Sequence, residues 1–246
     1  MQLKRHKKSV NFFPQWYDRL SSTNTFLKER LELEPNLPSG LVIAAREQMQ
    51  GRGRHSRTWL SGCGENLTFS LLWRGTCEPR RLPVASMAAA VAVADLLAAE
   101  GLNPVLKWPN DVLVNGRKIC GILSEGLSGG VIVGIGLNVN MKSADHIDQP
   151  ATSLLMEDGR RRGVEDVLEK LLKHLSVRMD EWAQGGFAVV RKSWEPRVAS
   201  LGRQVMVRDG NRVCSGILVG FGEDGELLLR DSIGGISAVW AGDVSV

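Results

Sequence analysis

The stretch "LVIAAREQMQGRGRHSRTWLS", Leu41 to Ser61, joins two unlike textures. Leu41 to Gln48 is aliphatic and β-branched and reads as a strand. It leads straight into a run in which Gly51 and Gly53 alternate with Arg52, Arg54 and Arg57, and Trp59 closes it. No acidic residue lies between Glu47 and Glu65 to neutralise that charge. Glycines let a backbone approach an anion and turn several N–H groups toward it. Arginines add forked donors that match phosphate or carboxylate oxygens. The plainer reading is a solvated hairpin loop, and a side chain as large as Trp59 weighs against it without removing it.

On the N-terminal side, "SSTNTFLKERLELEP" reads as a helix capped by Ser22 or Thr23, with Leu27 and Leu31 on one face and Pro35 as its stop. On the C-terminal side, "NLTFSLLW" alternates, with Leu67, Phe69, Leu71 and Trp73 on one face, as a strand with one buried side. "PVASMAAAVAVADLLAAEG" predicts a long helix between Pro83 and Gly101 whose alanine-rich face packs on a sheet. The longest apolar stretch within it, "MAAAVAVADLLAA", is too short to span a bilayer and Asp95 interrupts it. The strands "PVLKW" and "DVLVN" flank Pro109, Asn115-Gly116 is a hairpin turn, and "KICGILSEGL" and "GGVIVGIGLNVN" complete a meander. "VEDVLEKLLKHLSVRMDEWAQGG" carries Val164, Leu168, Leu171, Leu172, Leu175, Met179 and Trp182 at helical spacing.

From about Leu201 the pattern turns to short strands parted by Gly and Asp-Gly turns, a small β-barrel of roughly 45 residues. The expected fold class is α/β (α+β): a domain of residues 1–198 with an antiparallel-rich sheet and packed helices, then a β-barrel domain of residues 199–246.

The chain of 246 residues is 43% hydrophobic, which builds a sizeable core and excludes a disordered tail. Its net charge of +4 favours anionic partners only weakly. Cys63, Cys77, Cys120 and Cys214 form no C-x-x-C pair and read as reduced thiols of a cytoplasmic protein. The basic start "MQLKRHKKSV" is followed by no apolar segment of the kind a secretory signal needs.

Three further motifs can carry chemistry. "KWPNDV" presents Asn110 and Asp111 together, as a plain turn or as tips for a ribose, a base edge or a magnesium-bound phosphate. Lys118 sits beside a hairpin turn, as an edge lysine or as a cation over a pocket that stabilises developing negative charge. "GIGLNVN" ends in Asn138 and Asn140 and lacks the third glycine of a dinucleotide fingerprint. There is no G-x-x-x-x-G-K-[ST], H-E-x-x-H or G-x-S-x-G, which disfavours a P-loop, a zincin and a serine hydrolase. The residues alone give a cleft-forming α/β domain with an anion-binding loop, and leave the reaction open.

Taken together, "GRGRHSRTW", "KWPNDV", "GRKICGIL" and "GIGLNVN", with Ser22-Thr23-Asn24 and Gln48 upstream, resemble the biotin protein ligase family in order and spacing from about Trp16 to Val246. The resemblance implies a catalytic sheet like that of class II aminoacyl-tRNA synthetases with a C-terminal SH3-like barrel. It implies ATP, biotin and magnesium, a biotinyl-5'-AMP intermediate, and transfer of biotin to a lysine of a carboxylase's biotin carboxyl carrier domain. Ser22, Thr23, Asn24 and Gln48 are then expected around biotin, with Arg52, Gly53 and Arg54 covering its activated carboxyl. Arg57, Trp59, Asn110 and Asn138 are expected toward the nucleotide, and Lys118 between the carboxyl and the α-phosphate. Arg54 and Lys118 are the expected catalytic pair, and no metal ligands are assigned.

This sequence departs from the family pattern at Ser56, where the loop usually has glycine, and its last residues, to Val246, are "AGDVSV". Too little precedes the first catalytic helix for a DNA-reading domain, so no specific DNA binding is expected, and no membrane association. A homodimer is compatible. The rival readings are a lipoate or octanoate ligase or transferase of the same superfamily, for which an apolar tunnel would replace the polar Ser-Thr-Asn set, and a nucleic-acid-binding module built on the Gly-Arg loop.

Overall fold

The structure, a computed structural model, describes residues 10–60, 62–75, 81–145 and 147–245. The basic start up to residue 9 and Cys77 lie outside them.

Seven strands form the main sheet in the order β1-β2-β3-β7-β6-β5-β4. They are β1 (Phe13–Leu20), β2 (Leu41–Gln48), β3 (Asn66–Arg74), β4 (Pro104–Lys107), β5 (Asp111–Val114), β6 (Arg117–Leu127) and β7 (Gly130–Asn138). Only β1 and β2 pair in parallel; the other pairs are antiparallel. The Asn115-Gly116 turn closes the β5–β6 hairpin with φ of 51° and 74°, the left-handed pair that a two-residue hairpin loop requires.

Both faces of the sheet are covered in the middle. Helices α2 (Leu82–Ala99) and α4 (Val164–Trp194) pack together and against one face, where Leu67, Phe69, Leu71, Trp73, Val131, Val133, Ile135 and Leu137 join a single buried cluster. Helix α1 (Thr23–Leu33) covers part of the other face, with Leu27, Ile43, Leu72 and Ile132 beneath it. Strand β3 is therefore buried on both sides, not on one as its alternation suggested. Its even-numbered positions, Thr68, Ser70 and Leu72, are too mixed in polarity to have announced a second covered face.

Helix α2 is apolar almost all round and long enough by length and composition to cross a membrane, contrary to the sequence expectation. Here it lies in the interior between sheet and α4, where an all-round apolar helix belongs. Asp95 ion-pairs with Arg178 of α4 and with Arg197.

Strand β1 was not legible because Pro14 sits inside it. Proline lacks the N–H that a ladder uses, and an edge position tolerates that. The short helix α3 (Leu154–Asp158) also went unseen; Ser153 caps it through a hydroxyl that accepts from the N–H of Met156 at 3.1 Å. Helix α4 runs past Gly185-Gly186 to Trp194, with a non-helical break at Gly186 (φ 57°, ψ −152°).

The C-terminal strands β8 (Gln204–Asp209), β9 (Arg212–Phe221), β10 (Leu227–Arg230), β11 (Ile236–Val239) and β12 (Asp243–Ser245) form an antiparallel sheet ordered β11-β10-β9-β8-β12. Val205, Val207, Leu218, Phe221, Leu227, Leu229 and Val244 belong to the same buried cluster as the main sheet. The Trp108 indole donates to the Gly225 carbonyl at 2.9 Å, and Trp194 and Phe187 meet Phe221 edge-on at 6.2 Å.

Candidate active site

The register of three central strands builds the floor of a cleft. Gly136 pairs with Thr68 on one side and Gly121 on the other, and Gly134 pairs with Ser70 and Leu123. Side chains are small where the cleft is deepest. A Cβ on Gly136 would lie 2.3 Å from the Trp59 indole, and one on Gly134 2.2 Å from Asn24 Oδ1. These glycines are what "GIGLN" supplies: space, not a phosphate loop. The cleft has a cavity volume of about 100 Å³.

Ser22 occupies the N-cap position of α1, but neither it nor Thr23 makes the capping bond the sequence suggested. The Thr23 hydroxyl is turned into the cleft instead. It lies 3.1 Å from Gln48 Oε1, which also accepts from the Thr23 N–H at 2.8 Å, and 2.7 Å from Ser70 Oγ. Asn24 lies beneath, its Oδ1 accepting from Ser70 Oγ at 2.5 Å. Ser22, Thr23, Asn24 and Ser70 are all buried. A polar floor sealed this deeply suits a ligand with a polar head group.

The Gly-Arg loop is a closed hairpin. Arg52 bridges Thr58, the Gly53 N–H donates to the Arg57 carbonyl at 2.7 Å, and the Trp59 N–H to the Gly51 carbonyl at 2.9 Å. Gly51 is required there, because a Cβ would meet the Trp59 carbonyl oxygen at 2.3 Å. Each arginine has a carboxylate within reach. Arg52 donates to Glu125 at 2.8 Å, Arg57 ion-pairs with Asp243, and Arg54 lies 3.6 Å from Asp243 while donating to Asn110 Oδ1 at 3.1 Å and the Gly242 carbonyl at 3.3 Å. Burial lowers the Arg54 pKa below the ordinary arginine value, opposed by Asp243 and Asp111. Its charge is under-compensated, which favours a further anion beside it.

Lys118 Nζ lies 2.8 Å from Asp111 Oδ1, off the hydrogen-bonding direction, and 5.8 Å from the centre of the Trp59 ring. The Trp59 indole N–H is buried and has no hydrogen-bond partner among the described residues. Asn110 is fixed by donating to the Ile122 carbonyl at 2.7 Å. Behind this group Cys120 is fully buried, and burial pushes its thiol pKa far up, so it is no nucleophile.

Eleven of the twelve expected residues line this one cleft: Ser22, Thr23, Asn24, Gln48, Arg52, Gly53, Arg54, Arg57, Trp59, Asn110 and Lys118. Asn138 lines an adjoining pocket that shares Arg57, Trp59 and Lys118, and its amide donates to the Thr152 carbonyl at 2.9 Å. Sequence reasoning missed Ser70, Glu125, Gln149 and Asp243. Ser70 and Glu125 lie on the cleft side of alternating strands, and that period was their only signal. Among the described residues, no three His, Cys, Asp or Glu side chains cluster so as to hold a metal ion.

The family model described as the biotin/lipoate A/B protein ligase family matches residues 16–141. The biotin–[acetyl-CoA-carboxylase] ligase of Paracoccus denitrificans is 34% identical over 228 residues, covering 88% of this chain and 93% of the relative. The bifunctional ligase/repressor BirA of Bacillus spizizenii is 33% identical over 240 residues, covering 94% and 73%. Among solved structures, the biotin protein ligase from Aquifex aeolicus in complex with biotin and ATP superposes with a TM-score of 0.80 at 32% identity, covering 94% of this chain and 97% of the other.

Proposed function

The chain belongs to the biotin/lipoate A/B protein ligase family and is a biotin protein ligase, and we propose from that premise how its cleft works. The biotin carboxylate attacks the α-phosphorus of ATP and pyrophosphate leaves. The ε-amine of a carrier-domain lysine then attacks the acyl carbon, and AMP leaves with the bonding pair. Adenylation brings two anions together, so the chain must offset their repulsion and hold them in line.

Thr23, Asn24, Ser22 and Gln48 receive the ureido ring. Arg52, Gly53 and Arg54 cover the valeryl carboxylate. Arg57, Trp59, Asn110 and Asn138 face the nucleotide, with the Trp59 N–H as an unused donor. Lys118 exchanges Asp111 for the α-phosphate and stabilises charge as it builds there. Arg54 neutralises the carboxylate and then the leaving phosphate. The hairpin loop excludes water from the adenylate. Asp111 and Asp243, carboxylates that line the same cleft, would hold a magnesium ion brought with ATP, which would supply neutralisation of phosphate charge. In this reading residues 1–198 bind both substrates and residues 199–246 contribute Asp243. The partner is a biotin carboxyl carrier domain in the cytoplasm. The reading extends to a homodimer, which sedimentation at working concentration decides.

The observation that carries this is the convergence of Thr23, Asn24, Arg52, Arg54 and Lys118, from three separate stretches of chain, on one cleft. A polar, sealed floor supports biotin over a lipoyl or octanoyl chain, and loop arginines already facing carboxylates support a small anionic ligand over nucleic acid. Purified protein with labelled biotin, ATP, magnesium and a carrier domain should transfer label to the carrier. Transfer of lipoate or octanoate in preference to biotin would replace this reading.

A further inference from the structure

Glu125, on β6, has both carboxylate oxygens engaged, and they point to different parts of the site. Oε2 accepts from Asn24 Nδ2 at 2.7 Å, and Oε1 accepts from Arg52 at 2.8 Å. Asn24 Nδ2 also reaches the Leu123 carbonyl at 3.3 Å. From Asn24 the contacts continue through Ser70 and Thr23 to Gln48. An unbroken chain of side chains thus leaves the backbone at Gln48, crosses the cleft floor and returns at Arg52, bracketing the start of the Gly-Arg loop.

The direction of this chain follows from donor and acceptor counting. An ionised carboxylate only accepts, so the Asn24 amide must turn its NH2 toward Glu125 and its oxygen toward Ser70. Ser70 has one proton, which lies between Asn24 Oδ1 at 2.5 Å and Thr23 Oγ1 at 2.7 Å, so both of those oxygens accept from it. Gln48 Oε1 then receives the Thr23 backbone N–H. The Thr23 hydroxyl donates to the same Gln48 oxygen at 3.1 Å and, accepting from Ser70, keeps one lone pair on Oγ1. At Thr23 Oγ1 the floor therefore offers an acceptor, and its complement is a head group that donates N–H.

We propose that Glu125 is a positioning residue. It fixes the hydrogen-bond polarity of the floor, and through Arg52 it ties that floor to the Gly-Arg loop, so selection of an N–H-donating acid and loop order are coupled. The selection half rests on the biotin ligase reading; the tether half does not.

Glu125→Gln tests both in the full-length protein, because a glutamine places a donor against either Asn24 or Arg52. Biotin binding is expected to weaken about tenfold, the size of one charge-assisted hydrogen bond, while octanoate binding changes less than about twofold. At saturating biotin and ATP, adenylate formation should stay within about threefold of the parent, as befits a positioning group. In the ligand-free protein, hydrogen exchange of residues 50–60 should quicken about fivefold or more in Glu125→Gln and in Arg52→Ala, and no further in the double variant. A thermal midpoint close to the parent's keeps the comparison fair. Equal losses for biotin and octanoate would overturn the polarity assignment. Unchanged loop exchange, or additive effects in the double variant, would overturn the tether. If the parent binds octanoate and not biotin, the ligase reading and the selection half fall, while the exchange experiment still decides the tether.

Discussion

Arg162 and Arg57 both end on an aspartate, yet their surroundings differ. The Arg162 side chain is 10% exposed and reaches Asp158 and Glu100 at once, and Arg160 and Lys170 share those two carboxylates. This lattice joins the C-terminal end of α2 to α3 and to the start of α4. Arg57 is 60% exposed and faces Asp243, which Arg54 also approaches. The protonation preferences separate the two groups further. The hydrogen bonds that Arg162 donates to Asp158 raise the Arg162 pKa and hold the Asp158 carboxyl well below the usual carboxylate range. At Arg54, burial outweighs its partners and the shift is downward. A cation with several close carboxylates stabilises the fold. A buried cation with a distant, shared carboxylate retains free energy for a ligand.

The sharpest way to break that contrast is Lys118→Ala. If the cleft cations act on the reaction, adenylate formation at saturating substrates should fall about a thousandfold, with biotin affinity changed less than tenfold. Equal losses in both would mean that Lys118 only binds. Arg162→Ala should act in the opposite sense. It leaves two partly buried carboxylates with one cation fewer each and should lower unfolding stability by about 1–2 kcal/mol in urea titrations, with turnover per folded molecule unchanged.

Asp158→Asn sharpens the same point through pH. The folded pKa is depressed, so the ionised carboxyl contributes stability above its unfolded value near about 3.9 and loses it as pH falls through the folded value. The parent should exceed the variant by about 1–2 kcal/mol at pH 7, and the gap should close on acidification below about pH 4. A gap that persists unchanged at pH 2 would reject the assignment. The smallest effect is expected for Asp243→Asn: a KM for ATP raised about fivefold, unchanged biotin affinity and no measurable loss of stability, because exposed pairs contribute little.

What the sequence could announce follows the same divide between local and distant. The loop, Lys118, Asn110 and the Gly134/Gly136 run were legible because short contiguous motifs carry them. Glu125 and Asp243 were not, since their arginine partners lie 73 and 186 residues away and each reads alone as an ordinary polar residue of a strand. Thr23 looked like a helix cap because its residue type fits that role; Gln48 and Ser70 compete for its hydroxyl across sequence distances that local pattern does not reach. The strands and helices were mostly visible from period and turn chemistry. Strand β1 was hidden by Pro14, and the second half of α4 by two glycines that break a helix without ending it.

That break at Gly185-Gly186 bears on how chains of this kind can change length. In an uninterrupted helix each inserted residue rotates everything downstream by about 100° and advances it by about 1.5 Å. The segment after the break holds the C-terminal sheet through Phe187, through Trp194 against Phe221, and through Arg191 donating to the Phe221 carbonyl. Because Gly186 adopts a backbone conformation reserved for glycine, a register error before it is absorbed there rather than transmitted. Insertions and deletions between Val164 and Gly185 should therefore be tolerated by the C-terminal sheet, and hence by Asp243 at the loop, far better than the same changes between Phe187 and Trp194.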